Sequence, residues 1–110
     1  MANVAEGILE LLRVCGVHTI YGVTGDAVFP LFDALAKQGE GGIRFIGATD
    51  ETAAAFMASY HAKLTGELGV CVASSGPGAG NLVNGLADAY FDGAPVLALT
   101  GQVASGKLGT

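Results

Sequence analysis

Glu51 stands in this sequence without a nearby counter-ion. No Lys or Arg lies within five residues on either side, and the run Ala53-Ala54-Ala55-Phe56-Met57-Ala58 follows it. A carboxyl group in an apolar cleft has its charged form disfavoured, which suits it to taking up and releasing a proton. A place at the start of a helix pulls the other way, because a helix N-terminus favours the anion. The sequence leaves that balance open. The ordinary alternative is a first-turn acid held by the helix dipole, an effect of ~0.3–1 kcal/mol. Asp50 or Thr49 can already serve as the N-cap, however, so capping does not require Glu51.

The second feature with chemical potential is the glycine loop Gly76-Pro77-Gly78-Ala79-Gly80. A strand, a glycine loop and a helix in succession place backbone N–H groups where an anion can bind. A dinucleotide fingerprint would need glycine at position 81, which is Asn, and an acid near Thr100-Gly101-Gln102, where there is none. No Gly-Lys-Ser/Thr triplet makes a P-loop. Cys15 and Cys71 lie 56 residues apart in apolar segments, each without a His partner or a second thiol nearby. Both are expected to be buried packing residues. His18 and His61 read as ordinary, partly exposed side chains, and no metal-ligand cluster is visible.

These groups sit on a chain that alternates helix and strand. Val4, Ile8, Leu11, Leu12 and Cys15 form a helical stripe that ends at Gly16. The spacing and β-branched content predict strands near 19–23, 43–48, 69–74 and 96–100. Helices are predicted over 28–37, 50–65 and 81–91. Leu68 to Ser74 is almost wholly apolar, as a strand buried on both faces should be. The pattern predicts an α/β fold, with a doubly wound and mainly parallel sheet between two helical layers, a flavodoxin-like three-layer α/β/α arrangement. Ligands in such folds bind beyond the carboxyl ends of the strands. Val23-Thr24-Gly25-Asp26, Ala48-Thr49-Asp50-Glu51 and Ser74-Ser75-Gly76-Pro77-Gly78 should therefore share one crevice.

Composition narrows the classes further. The 110 residues are 51% hydrophobic and 14% charged, against roughly 25% charged in an average domain, so the chain can form a core. One domain, residues 1–110, fits the length. A net charge of −5 argues against nucleic acid or an anionic membrane as partner. No apolar run reaches the ~18–20 residues of a membrane span, and the first residues lack a cationic signal-peptide start. A cytoplasmic protein is expected. The helices after Asp50 and Asn81 have almost no polar face, so Phe56, Met57, Leu82 and Leu86 are expected to be buried by another chain or domain.

Three stretches carry a resemblance to a known family. They are Asp50-Glu51-Thr52-Ala53-Ala54-Ala55-Phe56-Met57-Ala58 with Ala62-Lys63-Leu64-Thr65-Gly66, the segment from Gly69 to Ala89 around Ser75-Gly76-Pro77-Gly78-Ala79-Gly80-Asn81, and Ala94-Pro95-Val96-Leu97-Ala98-Leu99-Thr100-Gly101-Gln102. In this order they resemble the amino-terminal pyrimidine-binding (Pyr) domain of thiamine diphosphate (ThDP) enzymes, in the acetolactate synthase and pyruvate oxidase group. The resemblance covers essentially the whole chain.

The resemblance implies that Glu51 hydrogen-bonds N1′ of the cofactor's aminopyrimidine and favours the 4′-imino tautomer, which draws the proton from thiazolium C2. It implies cofactor contacts at Thr24, Gly25, Pro77, Gly78 and Asn81, and a proton-transfer role for Asp26. Thr24 stands where the family's loop has Pro, and Asp50 where many relatives have His. No Gly-Asp-Gly … Asn motif for the diphosphate and its Mg²⁺ occurs in these residues, nor the Phe-Gln-Glu segment expected near the end. The chain is therefore expected to be half a site, cut from a longer homodimeric or homotetrameric enzyme and completed by the diphosphate-binding domain of another subunit. It would act on a 2-oxo acid such as pyruvate by carboligation, decarboxylation or oxidation, with FAD as a further cofactor of the full-length enzyme. The alternatives are a separate Pyr-type subunit of a split decarboxylase and a non-catalytic interaction domain on the same scaffold.

Overall fold

The computed structural model describes residues 3–25 and 28–101. Four strands, β1 (Thr19–Gly22), β2 (Arg44–Gly47), β3 (Gly69–Ala73) and β4 (Val96–Thr100), form one sheet in the order β2-β1-β3-β4. All three pairings are parallel, with Tyr21 opposite both Ile46 and Cys71, and Cys71 opposite Ala98. Among the described residues five helices accompany them: α1 (Val4–Val14), α2 (Phe29–Ala36), α3 (Glu51–Thr65), the single turn α4 (Pro77–Gly80) and α5 (Val83–Phe91).

The strand order accounts for the two helical layers. The chain steps from β1 to β2 in one direction, then crosses back over β1 to β3 and on to β4. Right-handed crossovers then place α2 on one face of the sheet and α3 and α5 on the other. Period-two alternation along β3 agrees with this. Val70 and Val72 pack with Leu9, Leu12, Ile20 and Leu31 under α1 and α2, while Cys71 and Ala73 pack with Ala54, Ala55, Ala58 and Leu82. Every residue of β3 is buried, as its apolar sequence predicts. The expected three-layer α/β fold is present.

Local signals fix the element ends. Asn3 accepts the Glu6 N–H at 2.8 Å to cap α1, and Asp50 accepts the Ala53 N–H at 2.8 Å to cap α3. Gly66 closes α3 in the left-handed conformation at φ 75°. Gln38 spans the 39–42 loop like a short strand, donating to the Ile43 carbonyl and accepting the Ile43 N–H, both at 2.9 Å.

Four expectations need correction. The buried side of α1 is Ala5, Leu9 and Leu12, while Val4 and Leu11 point outward at 82% and 64% exposure. Cys15 is exposed at the end of α1, and only Cys71 is buried. The glycine loop contains the helical turn α4, so α5 begins at Val83 rather than Asn81. Leu82 is covered within the chain at 1% exposure, because it packs into the core between α3 and β3. The apolar side chains that remain exposed on this layer are Tyr60, Leu64, Val83, Tyr90 and Phe91.

Candidate functional site

The strand order reverses between β1 and β3, and a crevice in such a sheet opens beyond the carboxyl ends of those two strands. The loops there are in contact. A Cβ at Gly25, just after β1, would collide with the Ser74 side chain just after β3. Glycine is needed at position 25 because the β1 and β3 loops touch. A hollow of about 480 Å³ lies beside this contact, lined by Thr24, Gly25, Phe29 and Phe32.

Glu51 enters the same region from α3. It recurs with Ala55, Ala58 and Ala62 at i, i+4, i+7 and i+11, so its side chain leaves the helix along the stripe that packs on the sheet. Asp50 supplies the cap, as expected of it or Thr49, which leaves the Glu51 carboxylate free. Among the described residues it has no hydrogen-bond or ion-pair partner; the nearby α3 contacts engage Asp50 and Thr52 instead. The side chain is half-buried.

The glycine loop closes over this carboxyl. A Cβ at Gly78 would stand 3.0 Å from Glu51 Oε1, so the absent side chain is what keeps space beside the acid. Thr52 Oγ1 donates to the Asn81 carbonyl at 3.0 Å, which ties the start of α3 to the end of the loop. Behind it, α3 and α5 approach closely, since a Cβ at Gly85 would overlap Ala55.

Most of the residues singled out in the sequence therefore converge on one edge of the sheet. Glu51 meets Gly78, Asn81 is bound through its backbone, Gly25 meets Ser74, and Thr24 lines the hollow beside that contact. Pro77 is exposed at the first position of α4. Asp26 lies outside the described residues. Ser74 lies in the crevice as its strand end predicts, and Thr52 is the site residue that the sequence reading does not single out. A small hydroxyl residue in the first turn of a helix is the available signal for it. His61 is also more engaged than expected, with Nδ1 3.0 Å from Tyr21 Oη and Nε2 3.1 Å from Glu67 Oε1.

Comparison with known proteins decides the family. Residues 2–110 match the family described as thiamine pyrophosphate enzyme, N-terminal TPP binding domain. The chain belongs to that family. It is 45% identical over 108 residues to the acetolactate synthase isozyme 2 large subunit of Escherichia coli strain K12, covering 98% of this chain and 19% of that protein. It is 47% identical over 105 residues to the probable acetolactate synthase large subunit of Methanocaldococcus jannaschii, covering 96% and 17%. A putative thiamine pyrophosphate-containing protein, YdaP of Bacillus subtilis strain 168, is 45% identical over 104 residues, covering 94% and 18%. The chain spans about a fifth of the length of these relatives.

The geometry fits the family's cofactor, thiamine diphosphate. A ring nitrogen that shares a proton requires a carboxyl without a prior partner, and Glu51 has none among the described residues. No helix among the described residues is long and apolar enough to cross a membrane.

Proposed function

We propose that this chain is the pyrimidine-binding half of a thiamine diphosphate-dependent enzyme acting on a 2-oxo acid, with pyruvate and acetolactate synthase-like carboligation as the first assignment. The observation that carries it is the unpartnered Glu51 carboxyl beside the space left by Gly78. When bound, the cofactor supplies a carbon nucleophile at thiazolium C2. Glu51 holds a proton at N1′ of the aminopyrimidine, and the buried alanines behind it keep water from competing for that proton. Thr24 and Gly25 line the thiazolium side, and Pro77, Gly78 and Asn81 line the pyrimidine side. Asp26, four residues after the end of β1 in the sequence, assists proton transfer to or from the substrate.

The diphosphate and Mg²⁺ are assigned to a diphosphate-binding domain of another subunit, in a homodimer or homotetramer. The exposed Tyr60, Leu64, Tyr90 and Phe91 on the α3–α5 layer offer apolar area for such a contact. FAD, if the enzyme is pyruvate oxidase-like or acetolactate synthase-like in this respect, belongs to regions outside this chain, and the cytoplasm is the assigned compartment. A purely interacting domain has no need of an acid kept free at a switch-point crevice, and a half-buried Glu51 beside the glycine loop disfavours that alternative.

The test is pyruvate turnover with ThDP and Mg²⁺, following both carbon dioxide and acetolactate. The protein assembled with its diphosphate-binding domain should consume pyruvate, and the 110-residue chain by itself should not. Turnover by the isolated chain, or none by the assembly, would contradict the proposal.

A further inference from the structure

The packing of α3 on the sheet raises the question of what sets its rotation. Its buried residues are Ala54, Ala55, Ala58, Ser59 and Ala62, and it lies against Gly69 and Gly85, where a Cβ would overlap Ala58 and Ala55. Small residues allow close approach, but they present no large side chain that interlocks with a facing groove. Rotation of so smooth a helix is resisted by the polar contacts on its two flanks. On the α5 side there are several: Thr52 to the Asn81 carbonyl at 3.0 Å, Ser59 to Asp88 at 2.8 Å, and Lys63 to Asp88 at 2.6 Å and Asp92 at 2.5 Å. On the opposite flank, among the described residues, one side-chain hydrogen bond joins α3 to the sheet, that between His61 and Tyr21 of β1.

The donors and acceptors in this contact match one to one. The Glu67 carboxylate can only accept, so it takes the His61 Nε2–H at 3.1 Å. With the ring neutral, Nδ1 is then an acceptor and takes the Tyr21 O–H at 3.0 Å. The two rings also meet edge to face, with centroids 5.7 Å apart. His61 is thereby held from the strand on one side and from the segment leading into β3 on the other.

We propose that His61, through Tyr21 and Glu67, is a positioning residue that sets the rotation of α3 and with it the aim of Glu51. The proposal rests on the role given to Glu51 above. Glu51 lies on the central stripe of the helix, so any rotation displaces its carboxyl sideways across the crevice. A turn of ~20° moves a group ~6 Å from the helix axis by roughly 2 Å. A misplacement of ~1 Å at a reacting group costs on the order of 10²-fold in rate. The stability of α3 is shared among many contacts, whereas its rotation on this flank depends on one.

The experiment compares Tyr21→Phe, His61→Leu and His61→Gln with wild type in the full-length protein. Hydrogen–deuterium exchange at C2 of bound ThDP reads the aim of Glu51, and nitrogen-15 shifts of the His61 ring in the cofactor-free protein read the tautomer. The ring should carry its proton on Nε2. Tyr21→Phe and His61→Leu should each slow C2 exchange at least ~10-fold, the effect of an ångström-scale displacement. His61→Gln should recover most of the rate, because its amide can both accept from Tyr21 and donate to Glu67. Ile20→Val, one residue away on the opposite face of β1, controls for lost stability and should exchange as wild type does. Slowing in Ile20→Val equal to that in Tyr21→Phe, or a proton on Nδ1, would overturn the proposal. Glu51→Gln separates the two levels. If it blocks exchange while Tyr21→Phe exchanges normally, the positioning role alone is wrong; if it exchanges normally, the role of Glu51 is wrong as well.

Discussion

Gly78 faces the Glu51 carboxyl directly: the position a Gly78 Cβ would occupy is 3.0 Å from Glu51 Oε1. The neighbour that must yield is the free end of a flexible side chain. The φ of Gly78 is also one that other residues can adopt, since it is not among the positive-φ glycines. Gly78→Ala should therefore leave folding stability within ~0.5 kcal/mol of wild type, as for a substitution without strain or cavity. It should nonetheless displace the Glu51 carboxyl and weaken ThDP binding. Calorimetric titration of ThDP alongside urea unfolding checks both halves, and unchanged affinity would mean that the space beside Glu51 is not used.

Two other helical glycines predict opposite outcomes. At Gly7 on α1 an added Cβ meets nothing within 4 Å, so Gly7→Ala should gain ~0.5–1 kcal/mol from helix propensity. At Gly85 the same atom overlaps the side chain and backbone of α3, and overpacking of ~1–3 kcal/mol exceeds the propensity gain. Gly85→Ala should unfold at lower urea than wild type and Gly7→Ala at higher. A shift of both in the same direction would contradict the packing described for α3 on α5.

Asp88 receives Lys63 and Ser59, and their hydrogen bonds hold its carboxyl below the usual carboxylate range. A carboxylate with a depressed folded-state pKa contributes stability that is present above its unfolded value, near ~3.9, and is lost as pH falls through the folded value. Lys63 is raised by hydrogen bonds to Asp88 and Asp92, so its contribution is complete below ~10.4 and disappears only as pH rises beyond that. The stability difference between wild type and Asp88→Asn should be level between about pH 5 and 9 and should shrink below about pH 4. Thermal unfolding over pH 2–9 measures it, and a constant difference down to pH 2 would exclude the ion pair as its source.

The two cysteines should behave differently. Burial pushes the Cys71 thiol up to about 11, while Cys15 is exposed at the end of α1. A thiol reagent at pH 8 should modify Cys15 promptly and reach Cys71 only after unfolding, because the thiolate is the reactive form. Mass spectrometry of the labelled native protein decides this, and rapid double labelling would mean that β3 is not shielded.

Much of the fold was legible in the sequence because its signals are local. The unbroken apolar run of β3 predicts burial on both faces, and Asp50 before Glu51 with Gly66 after Thr65 marks both ends of α3. The pairing of Glu51 with the glycine loop followed from strand ends that share one edge. What local signals do not encode is which of two overlapping stripes a helix buries. Apolar residues wrap more than half of α1, and contact with the sheet selects Ala5, Leu9 and Leu12 over Val4 and Leu11. The same holds for Leu82, which the pattern alone leaves free to face a partner and which packs in the core at 1% exposure. Ser74 as a contact of Gly25, and His61 as the link to Tyr21, depend on strand order and register that no single segment carries.

The central claim is that Glu51 holds a proton at N1′ of the aminopyrimidine, and exchange at C2 of bound ThDP tests it most directly. Glu51→Gln keeps the shape and one hydrogen-bonding group but cannot take up and release a proton. Its fold should be preserved, since Asp50 and not Glu51 caps α3. Deuterium exchange at C2, measured with wild type and Glu51→Gln in the assembled protein, should slow by ~10²–10⁴-fold in the variant, the usual size of a general acid–base contribution. Equal exchange rates in the two proteins would show that Glu51 is an ordinary first-turn acid and would contradict the account.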